Sequence, residues 1–337
     1  MPCGRVWGDV TVDIRPPATA DRFRAHMSDD PEPVFLYGAL RSGTTLFRII
    51  LNHHPGLQNP GETDFLFDHI RPDESHPTGW RYDLAALKAD RIFRARDIDL
   101  PADTDGRDLL GHMIRALAAK APGRLVLTHH RHATRLRELF PQAPVLHLLR
   151  DPRDVARSSV GLGWAGNSFH GIGHWIDTER DWDAAAIPQA RVLTVKFEDL
   201  MGDIEGELTR VCDFLGLPFD RAMLSYPDNS TYGPPDPKIA QQWKRKAGAR
   251  EVARLEARAG DLLSARGYEP AGAPLVPGPI EAAALAIEHR AKRWRFNARR
   301  YGWGLFLARH AAAALGLKGA TAKLDARQEA IRIAQLK

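Results

Sequence analysis

Four short, almost unbroken apolar runs punctuate the chain: Val34–Tyr37, Leu125–Thr128, Val145–Leu149 and Val192–Val195. Each is too short for an ordinary helix. None alternates apolar with polar residues, as a strand with one wet face would, so each reads as a strand buried on both faces. Between them the period changes. Thr45–Leu51 sets Leu46, Ile49 and Ile50 on one helical face and stops before Pro55-Gly56. Ala133–Phe140 and Leu208–Leu215 repeat the helical spacing. Buried strands separated by helices predict an α/β fold, doubly wound around a mostly parallel sheet of P-loop nucleotide-binding type, over residues 33–270. Residues 1–32, rich in Pro and Asp, read as a tail. Residues 271–279 (AGAPLVPGP) read as a linker, and 280–337 as a basic helical extension.

Composition adds limits. A 337-residue chain with 44% hydrophobic and 26% charged residues is ordinary for a globular protein with one large core. The net charge of +5 permits an anionic ligand without demanding nucleic acid. Two cysteines, Cys3 and Cys212, provide neither a disulfide framework nor a Cys-based metal site; Cys212 falls on a helical apolar pattern and reads as core. No apolar stretch resembles a signal peptide or membrane span, so a reducing cytoplasm is the expected compartment. His289–His310 is unusual, with seven Arg/Lys, no acid, and Trp294, Phe296, Tyr301, Trp303 and Phe306 between them. Three readings stand, in order of preference. The stretch packs its aromatics on the domain, contacts a membrane surface peripherally through 289–310, or contacts nucleic acid, which is not expected as a partner.

The candidate chemistry begins at Gly38-Ala39-Leu40-Arg41-Ser42-Gly43-Thr44-Thr45. Its spacing is that of a phosphate-binding G-x-x-x-x-G-K-[ST] loop, and a strand and a helix flank it as that motif requires. Thr44 stands where the lysine for the β- and γ-phosphates belongs, which argues against ATP or GTP chemistry. Backbone N–H groups, the helix dipole and the hydroxyls of Ser42, Thr44 and Thr45 still favour an anion, and Arg41 adds a full charge. A second site follows Leu149. Arg150 caps the end of a strand and Pro152 opens a helix, which places Arg150 at the carboxyl edge where ligands gather.

Together the two segments resemble the sulfotransferases that use 3′-phosphoadenylyl sulfate (PAPS). Arg41–Leu46 (RSGTTL) is similar to that family's 5′-phosphosulfate loop, and Leu148–Ser158 (LLRDPRDVARS) to its 3′-phosphate segment. The likeness continues through Val195–Leu200, Cys212–Pro218, Asn229–Thr231 and Trp243, and covers residues 33–245. It implies that Arg41, Ser42, Gly43, Thr44, Thr45 and Leu46 hold the 5′ end of the donor and that Arg150 and Ser158 hold the 3′-phosphate. Ser230 and Thr231 match a nucleotide- and substrate-loop segment, with Lys238, Lys244 or Lys246 standing in for a lysine that precedes the tryptophan in the tyrosine-sulfating branch. Asn59-Pro60-Gly61-Glu62-Thr63 matches the G-E-T segment of that branch and makes Glu62 the expected general base, taking the acceptor hydroxyl's proton. PAPS is the implied co-substrate, and the scheme requires no metal.

Two departures stand out. The family often carries a lysine just after the strand ending here at Leu127, where this chain has Thr128-His129-His130-Arg131. His129, His130 or Arg131 is left to supply that cation or acid. Phe197 replaces a family tyrosine. His170 and His174 have i, i+4 spacing, but glycines weaken the helix and no third ligand is near, so no metal site is expected. The acceptor is expected to be a glycan, glycolipid or small hydroxylated metabolite. Its pocket is drawn from residues 59–80, 160–180 and 225–240, with Trp80, Trp164, Phe169, Trp175 and Tyr232 as candidate platforms. The alternatives are a P-loop phosphotransferase and an inactive nucleotide-binding relative. Oligomeric state is open.

Overall fold

The structure, a computed structural model, describes residues 32–334; the expected N-terminal tail lies outside them. Five parallel strands form the central sheet: β1 (Val34–Tyr37), β2 (Leu57–Gln58), β3 (Arg124–His129), β4 (Val145–Leu149) and β5 (Val192–Lys196). Their order is β2-β3-β1-β4-β5. β1 is central and wholly buried, which explains the all-apolar Val-Phe-Leu-Tyr. β2 escaped the apolar pattern because it is only two residues long. The remaining four are the four expected strands.

One face of the sheet buries Val34, Leu36, Val126, Leu146 and Val195 against helix α1 (Thr44–Leu51) and the helix Ile204–Leu215. Each large aliphatic side chain buried there contributes about 1.5–3 kcal/mol. In α1 the buried stripe is Leu46, Phe47, Ile50 and Leu51, with Ile49 only partly covered, so the helix is rotated slightly from the sequence expectation. Cys212 is buried in the same cluster, its Sγ 3.7 Å from the Met223 sulfur. A second cluster joins Ala39, Val155, Trp175, Leu255 and Leu263.

Residues 65–120 form one unit, and residues 33–64 with 121–334 form the other. The 65–120 unit has an antiparallel hairpin (Ile70–Pro72 with Trp80–Tyr82) and a helix, Gly106–Ala118, started by Asp105, whose carboxylate accepts from the Gly106 and Tyr82 N–H groups. Its Asp68, His69 and Asp90 place ligand atoms within 4.8 Å of one another, and His69 pairs directly with Asp90.

The larger unit holds helix α2 (Pro152–Gly161) and ends in three consecutive helices, α3 (Pro279–Tyr301), Trp303–Ala314 and Lys318–Ala334. The aromatics of 289–310 pack largely on one another, with Trp294 edge-on to Trp303 and Phe306. Among the described residues, no helix is long and apolar enough to cross a membrane.

Candidate active site

Parallel strands all end at one edge, and a reversal of strand order opens a crevice there. Here β3 and β4 flank β1, so the segments leaving β1, β2, β3 and β4 meet. They carry the glycine loop, Glu62, His130 and Arg150.

The loop from β1 turns tightly. Gly38 is pressed against β4, where an added Cβ would lie 2.5 Å from the Leu148 carbonyl oxygen. Arg41 is in the left-handed region at φ 75°, a conformation that costs a non-glycine residue about 1–3 kcal/mol and collects at functional sites. Gly43 follows at φ 95° and starts α1, whose first N–H groups lack intrahelical partners and face the crevice. The Ser42 hydroxyl is fully buried and has no hydrogen-bond partner among the described residues. Thr44 is buried with its hydroxyl 3.2 Å from His130 Nε2; Thr45 is partly exposed, and Leu46 sends its side chain into the core. A Cβ at Gly43 would stand 2.4 Å from the Phe197 ring, which itself lies under the Arg150 guanidinium at 4.3 Å. Gly43→Ala is therefore expected to lower the melting temperature and weaken nucleotide binding at least about tenfold, measured by calorimetry, because neither the dihedral nor the ring can yield cheaply.

Arg41 and Arg150 are tied together. Arg41 Nε donates to Ser158 Oγ at 3.0 Å, and Arg150 donates to the Arg41 carbonyl at 3.2 Å and the Ile239 carbonyl at 3.1 Å. Burial lowers the Arg41 pKa; Tyr232 and Glu62 oppose that shift and Arg150 adds to it, so all three lie within electrostatic reach of the guanidinium. The buried Arg150 Nε has no hydrogen-bond partner among the described residues.

α2 is begun by Asp151, whose carboxylate accepts from Arg153 N, with Pro152 in the first turn. Asp151 also accepts from the Trp243 indole at 2.8 Å, and Asp154 accepts from the Gln242 and Trp243 N–H groups. These bonds pin residues 242–246 onto α2. The result is a cavity of 270 Å³ lined by Arg150, Arg157, Ser158 and Lys246, with Asp154 and Gln242. Of the three candidate lysines, Lys246 lines this cavity, whereas Lys238 is exposed on a short turn. Arg157 was missed as a site residue because its role depends on the helix face, not the motif. Ser230 is partly buried and Thr231 exposed, just before Tyr232.

Glu62 is positioned by an Asn59 staple. The Asn59 side chain donates to the Val126 carbonyl and Thr128 Oγ1 and accepts from Gly61 N, laying the segment beside β3, where Glu62 bridges Thr128. Two residues later, Asp64 is buried, with Oδ1 accepting from His130 N at 2.8 Å and Oδ2 2.7 Å from His130 Nδ1. Sequence reasoning missed Asp64, though its place two residues after Glu62 was available. His129, the last residue of β3, and His130 just after it part company. His130 faces the loop, while His129 packs its ring on Phe35 and places Nε2 3.3 Å from Thr63 Oγ1.

On the acceptor side, Trp164 is 41% exposed and lies 5.7 Å from the Arg41 guanidinium. The 162–167 loop is backed by α3. Phe296 fills the space a side chain at Gly163 would need, Gly166 N donates to His289 Nδ1, and Asn167 donates to the Leu285 carbonyl and Glu288. Within the larger unit, Trp175 is buried in the core and Phe169 lies under the Arg258 guanidinium, which leaves Trp164 and Tyr232 as the candidate aromatics beside Arg41. His170 and His174 sit on different helices. His170 stacks on His289, and His174 Nε2 lies 3.0 Å from Ser159 Oγ.

Two basic clusters are thus joined through Arg41 and Arg150. Comparison with known proteins decides the family: residues 33–221 match the model described as "Sulfotransferase family". The chain belongs to the sulfotransferase family. It is 31% identical over 111 residues to the omega-hydroxy-beta-dihydromenaquinone-9 sulfotransferase Stf3 of Mycobacterium tuberculosis, covering 28% of this chain and 29% of that one. It is 26% identical over 208 residues to protein-tyrosine sulfotransferase A of Caenorhabditis elegans, covering 57% and 52%. This sulfotransferase chain thus spans from under a third to about half the length of these relatives. In fold it is similar to the sulfotransferase domain of the Synechococcus olefin synthase (TM-score 0.53, 24% identity, 71% of this chain and 96% of that one). The sulfotransferase domain of the curacin pathway gives a TM-score of 0.51 at 20% identity, covering 73% and 99%.

Proposed function

We propose that this sulfotransferase moves a sulfuryl group from PAPS to an acceptor hydroxyl by in-line transfer. The observation that carries the reading is the pair of linked anion sites, one at the glycine loop with Arg41 and the buried Ser42 hydroxyl, the other the Arg150–Arg157–Ser158–Lys246 cavity. The loop amides and Arg41 hold the 5′ end, and Arg150, Ser158 and Lys246 hold the 3′-phosphate. The donor supplies the activated sulfur–oxygen bond. Glu62 takes the acceptor proton as the acceptor oxygen bonds to sulfur, while Arg41 offsets the charge on the sulfuryl oxygens. The electron pair of the broken bond stays with the 5′-phosphate. Family membership and the absent loop lysine set aside the phosphotransferase alternative.

The acceptor we infer is a hydroxyl on a sugar, lipid or other small molecule with a flat face. Exposed Trp164 and Tyr232 beside Arg41 support stacking on that face. One relative acts, by its name, on a hydroxylated menaquinone and another on protein tyrosine. Calorimetry with adenosine 3′,5′-bisphosphate (PAP), the product nucleotide, is expected to show binding at micromolar protein, and no binding removes the proposal. Turnover with sulfur-labelled PAPS over a panel of hydroxylated acceptors separates an enzyme from an inactive nucleotide-binding relative.

A further inference from the structure

His130 occupies the segment after β3 where the resemblance expects a lysine. It is 2% exposed, and three groups fix it from three directions. Asp64 accepts from both its backbone N–H and its ring Nδ1; Thr178 Oγ1 donates to its carbonyl; and its Nε2 lies 3.2 Å from Thr44 Oγ1 in the glycine loop. Asp64 is 3% exposed and bonds the ring at 2.7 Å, so the pair is dry and its geometry leaves the imidazole one orientation. Thr44 is the residue that replaces the loop lysine. Both lysines missing from this site therefore converge on one imidazole.

We propose that His130, as an imidazolium, is the cation that faces the oxygen bridging the 5′-phosphate and sulfuryl groups, and that Asp64 is its positioning residue. The inference deepens the donor reading above and rests on it. Asp64 fixes the Nδ1–H, so Nε2–H points at the loop, first to Thr44 and, with donor bound, to the leaving oxygen. The imidazolium offsets the charge appearing there as the sulfur–oxygen bond breaks, and the proton remains on the ring. No other group is needed to balance the step, because the acceptor's own proton passes to Glu62.

The electrostatics agree. Burial disfavours the charged ring, but Asp64 outweighs it, with help from Glu62 and against Arg131, so the His130 pKa lies above its ordinary value. Asp64 is buried too, yet His130, then His129 and Arg131, hold its carboxyl well below the usual range. From the facing helix, His174 feels the His130 charge, which helps lower its own pKa after burial. A raised folded-state pKa means that the ion pair stabilises the fold fully below the ordinary histidine pKa. That stability is lost as pH rises through the folded value. The carboxylate's contribution is lost in turn when acid protonates Asp64.

The test is PAP binding to the full chain by calorimetry across pH, which needs no acceptor. In the wild type, the PAP Kd is expected to rise by up to about tenfold per pH unit above the His130 pKa, beyond the slope due to PAP's own phosphates. H130Q removes that slope. H130K keeps tight binding and moves the slope into the lysine range. D64N shifts it to lower pH. Nitrogen-detected NMR of the wild-type imidazole, with H130Q assigning the resonance, is expected to titrate above ordinary histidine. Equal slopes in wild type and H130Q, or a His130 midpoint below ordinary histidine, overturn the inference while leaving the donor reading intact. No PAP binding at any pH sinks the donor reading itself.

Discussion

Glu62→Gln is expected to bind PAP within about twofold of wild type and to lose roughly a hundred- to ten-thousandfold in turnover, the range that general-base catalysis supplies. The reason is local. Glu62 stands at the end of the Asn59-stapled segment, half-buried, close enough to act on both Arg41 and His130. Gln preserves its shape and the backbone bridge to Thr128 but cannot accept the acceptor's proton. The measurement is labelled-sulfate transfer to the best acceptor from the panel, beside calorimetry with PAP. Turnover equal to wild type would remove Glu62 from the role. Asn59→Ala offers a graded companion, since it frees the segment without touching the carboxylate and is expected to reduce turnover less than Glu62→Gln.

Arg150→Ala is expected to weaken PAP by roughly thirtyfold or more, since breaking a buried charge pair costs about 2–5 kcal/mol. AMP, which lacks the 3′-phosphate, should be weakened far less. That contrast assigns Arg150 to the 3′ site. An equal loss for both nucleotides would mean instead that Arg150 acts through the glycine loop, whose Arg41 carbonyl it also holds. Phe197 lies beneath the guanidinium, so Arg150→Lys is not a conservative swap and is expected to behave more like Ala.

Most of the fold was legible because β1, β3 and β4 are almost wholly buried and, with the partly covered edge strand β5, announce themselves as apolar runs. β2 did not, because two residues carry no period. The division at residues 65–120 was equally hidden, since apolar patterning reports burial and not which core a residue joins. At the site, residues within motifs were found and residues supplied by packing were not. Asp64 looked like an acidic residue in a loop, and its meaning came from the imidazole across from it. Lys246 required Asp151 and Asp154 of α2 to hold residues 242–243 beside Arg150, and Arg157 required knowing which face of α2 lines that cavity. His129 and His130 were indistinguishable on paper, and only the end of β3 between them separates the ring packed on Phe35 from the ring turned to the glycine loop.

The backing of the 162–167 loop by α3 sets an order on the ribosome. Every residue argued to hold the nucleotide lies between Arg41 and Lys246 and is therefore synthesised before α3 begins. The wall that carries Trp164 has to wait for Leu285, Glu288, His289 and Phe296. A nascent chain thus gains the means to hold its donor before the acceptor side is fixed.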